Sequence, residues 1–248
     1  MGEQADILAI GAHPDDLEIG VGGLLIAAGE LGLRVELCDL TAGERGSRGT
    51  PELRREEALA AAEVLGARSR TCLGLPDAEL VDDPAARRRV AALIRRVRPR
   101  FVLGPFEGDQ HPDHRAAARL VAAACFLSGL RRHEGVDGPA FRPAQHLSYP
   151  GLPGRGTRPA DPDQVVDVSA VHGRKLEAVR CHASQFLGLS EGERDESWRA
   201  GGPRPLERLE ARDRFYGALI GVRFGEPLCT DGPLELKIAD WLEKNPRA

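Results

Sequence analysis

Cysteine pairing is the first thing missing: the five cysteines, Cys38, Cys72, Cys125, Cys181 and Cys229, are odd in number, widely spaced and free of any C-x-x-C pair. That pattern suits reduced thiols in a cytoplasmic protein and leaves no disulfide framework to build on. No apolar run approaches the roughly 18 residues of a membrane helix. The opening Met-Gly-Glu-Gln-Ala-Asp carries neither a basic nor an apolar leader region, so no membrane partner is expected. A basic excess is also absent. The net charge is −4, which argues against a nucleic-acid surface. Lysine is scarce, with only Lys175, Lys237 and Lys244 among 34 basic residues, so arginine is everywhere and an arginine cluster by itself says little. Repeats and low-complexity tracts are lacking too. A chain of 248 residues, 42% of them hydrophobic, is expected to form one full-sized domain over 1–248.

What is present is an alternation of strand and helix signals. A strand is expected over Ile7 to Ile10, a helix from about Leu17 to Leu31, and a strand over Val35 to Leu40. The next helix opens at Thr50-Pro51, with Thr as N-cap and Pro at the first helical position. A short strand near Thr71 to Leu73, a helix after Asp83-Pro84 to about Val97, a strand over Phe101 to Gly104 and a helix from Pro112 to about Leu130 continue the series. Later come a strand at Val165 to Val168 and helices over Val171 to His182 and Leu206 to Gly221. Gly- and Pro-rich stretches at about 135–162 and 187–205 are expected to be loops that wall a pocket. The pattern predicts an α/β fold, a mostly parallel sheet covered by helices, with the turns after strands 1 and 4 facing each other where the chain order reverses.

Those two turns carry the chemistry. Ile10-Gly-Ala-His-Pro-Asp-Asp-Leu-Glu18 ends the first strand, and His111-Pro-Asp-His114 follows the fourth. His13 and Asp16 lie three apart, so in a tight turn entering a helix they can converge on one point while Asp15 points elsewhere, free to act as a base. His114 can supply a third ligand if the strands are neighbours. Two imidazoles and one carboxylate suit zinc, with a fourth position left for water, which marks a catalytic site. Iron(II) fits the same set almost as well.

At these residues the chain resembles the LmbE-like/PIG-L zinc-dependent N-deacetylases, whose hallmark is A-H-P-D-D-x-E followed by a late H-P-D-H. The similarity runs on through Thr41 to Glu52, Leu73 to Asp77, Ser184-Gln-Phe186 and Glu210 to Pro227, and is strongest to the bacillithiol-biosynthesis enzymes that deacetylate N-acetylglucosaminyl-malate. The resemblance implies a single-domain, LmbE-like, Rossmann-like three-layer sandwich, a Zn2+ cofactor and a small N-acetylglucosamine conjugate as substrate. Relatives form hexamers, so a homo-oligomer is implied as well. Arg54 matches a substrate-binding arginine of the family, and Arg142 is the candidate for a second. In relatives the loops at about 135–162 and 187–205 contribute a tyrosine or arginine to the pocket; here Tyr149 is followed by Pro-Gly-Leu-Pro, and the later loop holds no tyrosine to serve as an aromatic oxyanion donor.

Within this frame Asp15 takes a proton from water, and His111, as a charged imidazole, faces the oxyanion. Asp113 orients His111 through its other ring nitrogen. Either Asp15 or His111 protonates the departing amine. Glu18 and Glu44 are explained by support of neighbours or helix capping, and His133, His146, His172 and His182 are expected at the surface or in the core. Two other classes fit less well. A nucleotide-binding Rossmann module needs small residues where His13 and Asp16 stand, and a structural zinc staple needs a fourth protein ligand, such as Cys38 or His146.

Overall fold

The structure, a computed structural model, describes residues 4–154, 158–187, 205–230 and 232. Its first half alternates β1 (Ile7–Gly11), α1 (Asp16–Glu30), β2 (Val35–Asp39), α2 (Pro51–Leu65), β3 (Ser69–Cys72), α3 (Pro84–Val97), β4 (Phe101–Pro105) and α4 (Pro112–Ser128). Then follow β5 (Gln145–Tyr149), β6 (Gln164–Asp167), α5 (His172–Cys181), α6 (Ala183–Phe186), α7 (Pro205–Leu219) and β7 (Gly225–Thr230). One seven-stranded sheet has the order β3-β2-β1-β4-β5-β7-β6. Its first five strands are parallel, while β7 runs antiparallel to both β5 and β6.

Every residue of β1 is buried, because helices cover both sheet faces and a central parallel strand must be apolar on each. Leu8 and Ile10 pack toward α3 and α4 with Val90, Ile94, Leu120 and Val121. Ile7 and Ala9 pack the other way, with Leu17, Leu25, Leu37 and Leu65. Local chemistry sets the helix starts. Thr50 accepts the Leu53 amide and precedes Pro51, and Asp83 accepts the Ala85 and Ala86 amides ahead of Pro84. Among the described residues no helix is long and apolar enough to cross a membrane.

Three features depart from the pattern expected of the sequence. The stretch 135–162 is not wholly loop, since β5 lies inside it and pairs with β4. Its Gln-His-Leu-Ser-Tyr holds one aliphatic residue among polar ones, so no period shows. β7 was hidden by Gly225 and Pro227. The expected strand near Thr71 to Leu73 is β3, two residues earlier at its start. Most of the second expected loop, 187–205, falls outside the described residues.

Helix α1 is broken at Val21, whose φ of −138° and ψ of 17° are not helical. Both broken ends are satisfied by side chains from the far end of the chain. Arg212 Nη2 donates to the Ile19 carbonyl at 2.8 Å, and Glu226 accepts the Gly23 and Leu24 amides at 2.8 and 2.7 Å. A Cβ on Gly20 would sit 2.2 Å from the Tyr149 ring, so only glycine lets the broken helix meet β5. Behind the break, the fully buried Lys175 contacts Asp213 Oδ2 and Glu226 Oε1, each at 2.7 Å. Burial pushes the Asp213 carboxyl up, but Arg212, Lys175 and His172 outweigh it and hold it well below the usual carboxylate range.

Replacing Lys175 by Met leaves Glu226 without its cation and should cost about 3–5 kcal/mol in urea unfolding. An unchanged midpoint would show that the cluster contributes nothing net. The folded pKa of Asp213 lies below the unfolded value of about 3.9. Its stabilisation is therefore present above that pH and is lost as acid is added. The urea midpoint should fall as pH drops below about 4, and less steeply in Asp213→Asn.

Candidate metal centre

The loops after β1 and β4 meet at the carboxyl ends of adjacent strands, on either side of the point where the chain order reverses. Asp15, the residue before α1, has φ +112°, a conformation that costs a non-glycine residue backbone energy and that is tolerated where surrounding contacts impose it. This twist separates its side chain from that of Asp16. The Asp16 Oδ2 accepts the Ala12 and His13 amides at 2.9 Å each, which fixes the carboxylate and turns Oδ1 outward.

Three side chains gather around Asp16. His13 Nδ1 lies 3.6 Å from Oδ2, His114 Nε2 lies 3.2 Å from Oδ1, and ring nitrogens of His13, His111 and His114 come within 4.8 Å of one another. The outer nitrogens of the two principal imidazoles meet carboxylates: His13 Nε2 is 3.1 Å from both Asp77 Oδ1 and Asp113 Oδ2, and His114 Nδ1 is 3.0 Å from Asp109 Oδ2. A carboxylate behind each imidazole fixes its tautomer and raises its basicity, the usual support for a metal-binding histidine. With their outer nitrogens so engaged, His13 Nδ1 and His114 Nε2 are the ring atoms turned to Asp16, and these three residues could hold a divalent cation.

A second group, His13, Asp77 and Asp113, also clusters closely enough to hold an ion. Its carboxylates are already engaged by backbone. Asp113 accepts the Ala78 and Leu80 amides, and Asp77 accepts those of Arg45 and Ala78. The group has the character of a bracket for His13, while the Nδ1 side opens into the cleft.

The electrostatics express a shortage of positive charge. Burial opposes protonation of His13, yet Asp16 and Asp77 overcome it and lift the ring to about 11. Burial likewise opposes charge on His114, which Asp16 and Asp109 raise to about 10. Asp16 is held well below the ordinary range, the two imidazoles prevailing over burial. Asp15 moves the other way, up to about 6, because burial and the Asp16 charge outweigh the Arg54 guanidinium and His182.

His111 differs from expectation. Burial and the neighbouring His114 and His13 lower its pKa, so the ring is neutral rather than a charged imidazole. Its Nδ1 accepts the Asp113 amide at 3.2 Å, which puts the proton on Nε2. The Asp113 carboxylate does not orient His111; it serves His13.

Arg54 is 5% exposed and its guanidinium is largely committed, to the Gly43 carbonyl at 3.0 Å, the Pro14 carbonyl at 2.7 Å and Asp15 Oδ2 at 3.4 Å. It braces the turn that carries Asp15 more than it faces a substrate. Arg142 lies away from the centre. It stacks on Phe126 at 4.7 Å and donates to the Phe126 carbonyl, near the end of a 17-residue helix that begins beside His111 and so spans about 25 Å. Among the described residues no contact joins Arg142 to the cleft, which does not fit the expectation of a substrate role. Tyr149 gives its hydroxyl to the Ile10 carbonyl at 2.9 Å, leaving only its ring toward the cleft.

Asp77 and Asp109 were missed. Asp77 ends a motif quoted above, and Asp109 stands two residues before His111, so a carboxylate near each turn was the available signal. Glu44 accepts the Asp77 amide, and Glu18 pairs with the buried Arg70, both as support. His172 and His182 are buried against Asp213 and Glu18. Two cavities flank the centre. One of about 310 Å³ is bordered by Asp15, Arg45, Arg54 and Asp77, the other, of about 140 Å³, by Ile19, Pro105, Tyr149 and Leu152; Asp16, His111 and His114 border both.

A Rossmann-like sheet with a His/Asp cluster at its switch point has the form of a metal-dependent enzyme. The model of the PIG-L family, GlcNAc-PI de-N-acetylase, matches residues 8–125. Diacetylchitobiose deacetylase of Thermococcus kodakarensis is 32% identical, over 89% of this chain and 80% of its own. A 4-oxalmesaconate hydratase of Pseudomonas putida is 29% identical, covering 73% of this chain and 74% of its own. A probable N-acetyl-alpha-D-glucosaminyl L-malate deacetylase 2 of Bacillus cereus is 29% identical, covering 75% and 86%. A solved structure of a conserved protein from Thermus thermophilus superposes with a TM-score of 0.83 at 38% identity, covering 95% of this chain and 98% of that one. The chain belongs to the PIG-L family and is an enzyme of its metal-dependent N-deacetylase class.

If the carboxylates behind the imidazoles act as described, Asp113→Ala and Asp109→Ala should each weaken cation binding about 10–100-fold. Competition against a chromogenic chelator reads this directly, and wild-type affinity in both variants would contradict it.

Proposed function

We propose that the protein is a zinc-dependent deacetylase of an N-acetylglucosamine conjugate, with N-acetylglucosaminyl-malate of the bacillithiol route as the first candidate. The observation that carries the reading is the pairing of a three-donor centre, His13, Asp16 and His114, with a strained, partly buried Asp15 whose carboxyl is lifted to about 6. A bound Zn2+ would polarise the acetamide carbonyl and ease deprotonation of the attacking water.

The remaining work belongs to the chain. Asp15 accepts the water proton on its carboxylate and passes it to the amine nitrogen as the C–N bond breaks. Arg54 holds that carboxylate and the Pro14 carbonyl, so the base keeps its direction. His111, neutral and with its proton on Nε2, donates to the developing oxyanion. Asp77, Asp109 and Asp113 keep the two principal imidazoles turned toward Asp16.

The malate preference draws support from the Bacillus cereus relative and from Arg45. This arginine borders the Asp15-side cavity with its side chain 64% exposed and, among the described residues, a single loose 3.6 Å ion contact to Glu79, so its guanidinium can turn to a carboxylate, where Arg54 is held by its own partners. The chitobiose relative supports the wider class of N-acetylglucosamine conjugates. The hydratase relative is a reason to assay amide cleavage itself.

Release of free amine from N-acetylglucosaminyl-malate by the zinc-loaded protein tests the reading. Asp15→Asn should lower kcat by about 10²–10⁴-fold while still binding one zinc; wild-type turnover in that variant would remove Asp15 as base. Arg45→Ala should raise KM for the malate conjugate more than for N-acetylglucosamine, and equal effects on both would remove its carboxylate role.

A further inference from the structure

The two cavities that share Asp16, His111 and His114 are not equivalent. Asp15 borders only the larger one, with the charged Arg45, Arg54 and Asp77. Only the smaller is bordered by Ile19, Pro105, Tyr149, Gly151 and Leu152, which form its apolar wall, and by Asp109 and Gln110 at its polar edge. Resting on the deacetylase reading above, amide cleavage forms a C–O bond from water, breaks the C–N bond and moves the water proton through Asp15 to nitrogen. The nitrogen must therefore face Asp15, which puts the sugar in the larger cavity. The acyl carbon chain leaves the carbonyl carbon in another direction and enters the smaller one, along the wall of Ile19, Pro105, Tyr149 and Leu152.

That second cavity is larger than a methyl group requires. At about 140 Å³ it is comparable to the engineered apolar cavities of roughly 150 Å³ that admit benzene. Its walls are also held firmly. Arg212, 4% exposed, bonds the Ile19 carbonyl at 2.8 Å on one side and the Pro150 carbonyl at 3.1 Å on the other, so one guanidinium ties α1 to the segment that carries Gly151 and Leu152. The Tyr149 hydroxyl is occupied by Ile10, so the ring face forms the wall.

We propose that this cavity is an acyl subsite that accepts chains longer than acetyl, so that the enzyme removes short fatty acyl groups such as butyryl from the glucosamine nitrogen. Two added methylenes enter apolar surroundings, each worth about four-fold in affinity when buried.

The test compares N-acetyl- and N-butyryl-glucosamine as substrates of the zinc-loaded protein, together with calorimetric binding of acetate and butyrate, for wild type and Leu152→Trp. In the wild type, butyrate should bind about ten-fold tighter than acetate and butyryl turnover should stay within about ten-fold of acetyl. Leu152→Trp, which fills the cavity from a loop position, should reduce butyryl kcat/KM about ten-fold more than acetyl and erase the butyrate margin. Acetyl hydrolysis without any butyrate margin, or with butyryl turnover about 100-fold lower in the wild type, would overturn the subsite and leave the deacetylase reading intact. If neither of these amides nor that of N-acetylglucosaminyl-malate is cleaved while the butyrate margin persists and is lost in Leu152→Trp, the deacetylase reading fails and the subsite stands.

Discussion

An imidazole ring has two nitrogens, and each of the two principal histidines commits one of them to a carboxylate while the other faces Asp16. His13 is bracketed by Asp77 and Asp113, and His114 is held by Asp109. Five aspartates crowd two imidazoles at the mouth of a parallel sheet, so the cluster is short of positive charge. The raised pKa values of His13 and His114 express that shortage, as two protons stand where one divalent cation could. Everything proposed for the site depends on this polarity of the rings, because it decides on which side of His13 a cation sits and so which groups are left for substrate.

The scaffold keeps that arrangement in place by joining distant segments. Asp16 heads a helix that breaks one turn later, and the break is mended by Arg212 and Glu226, which stand near the chain's other end. Lys175 and Asp213 neutralise those two menders in a region with no access to water. The cost of burying so many charges is offset only if each has its partner, and here the partners also bond backbone that an intact helix would have satisfied by itself. Function and stability thus draw on the same residues: Arg212 both completes the broken helix and fixes the segment that walls the smaller cavity.

Much of this was legible in the sequence because it is local. Helix starts at Thr50-Pro51 and Asp83-Pro84 follow from capping chemistry, and the apolar β1 and β4 follow from a sheet covered on both faces. The meeting of His13, Asp16 and His114 needed one further step, that strands 1 and 4 are neighbours, and the sheet order supplies it. The failures are non-local. Which ring Asp113 faces depends on the Ala78 and Leu80 amides, thirty-odd residues upstream, that hold its carboxylate. Arg54 and Arg142 could not be told apart in an arginine-rich chain, and only tertiary placement separates the buried brace from the surface stack. β5 and β7 escaped because a strand of mixed polarity, or one holding Gly and Pro, carries no period.

A crystal structure of the zinc-loaded protein, with the metal located by anomalous scattering, tests the central claim most directly. The account predicts one principal peak bound by His13 through Nδ1, Asp16 and His114 through Nε2, with Asp77, Asp109 and Asp113 behind the imidazoles and Asp15 unbound. A principal peak on His13 Nε2, between Asp77 and Asp113, would contradict it.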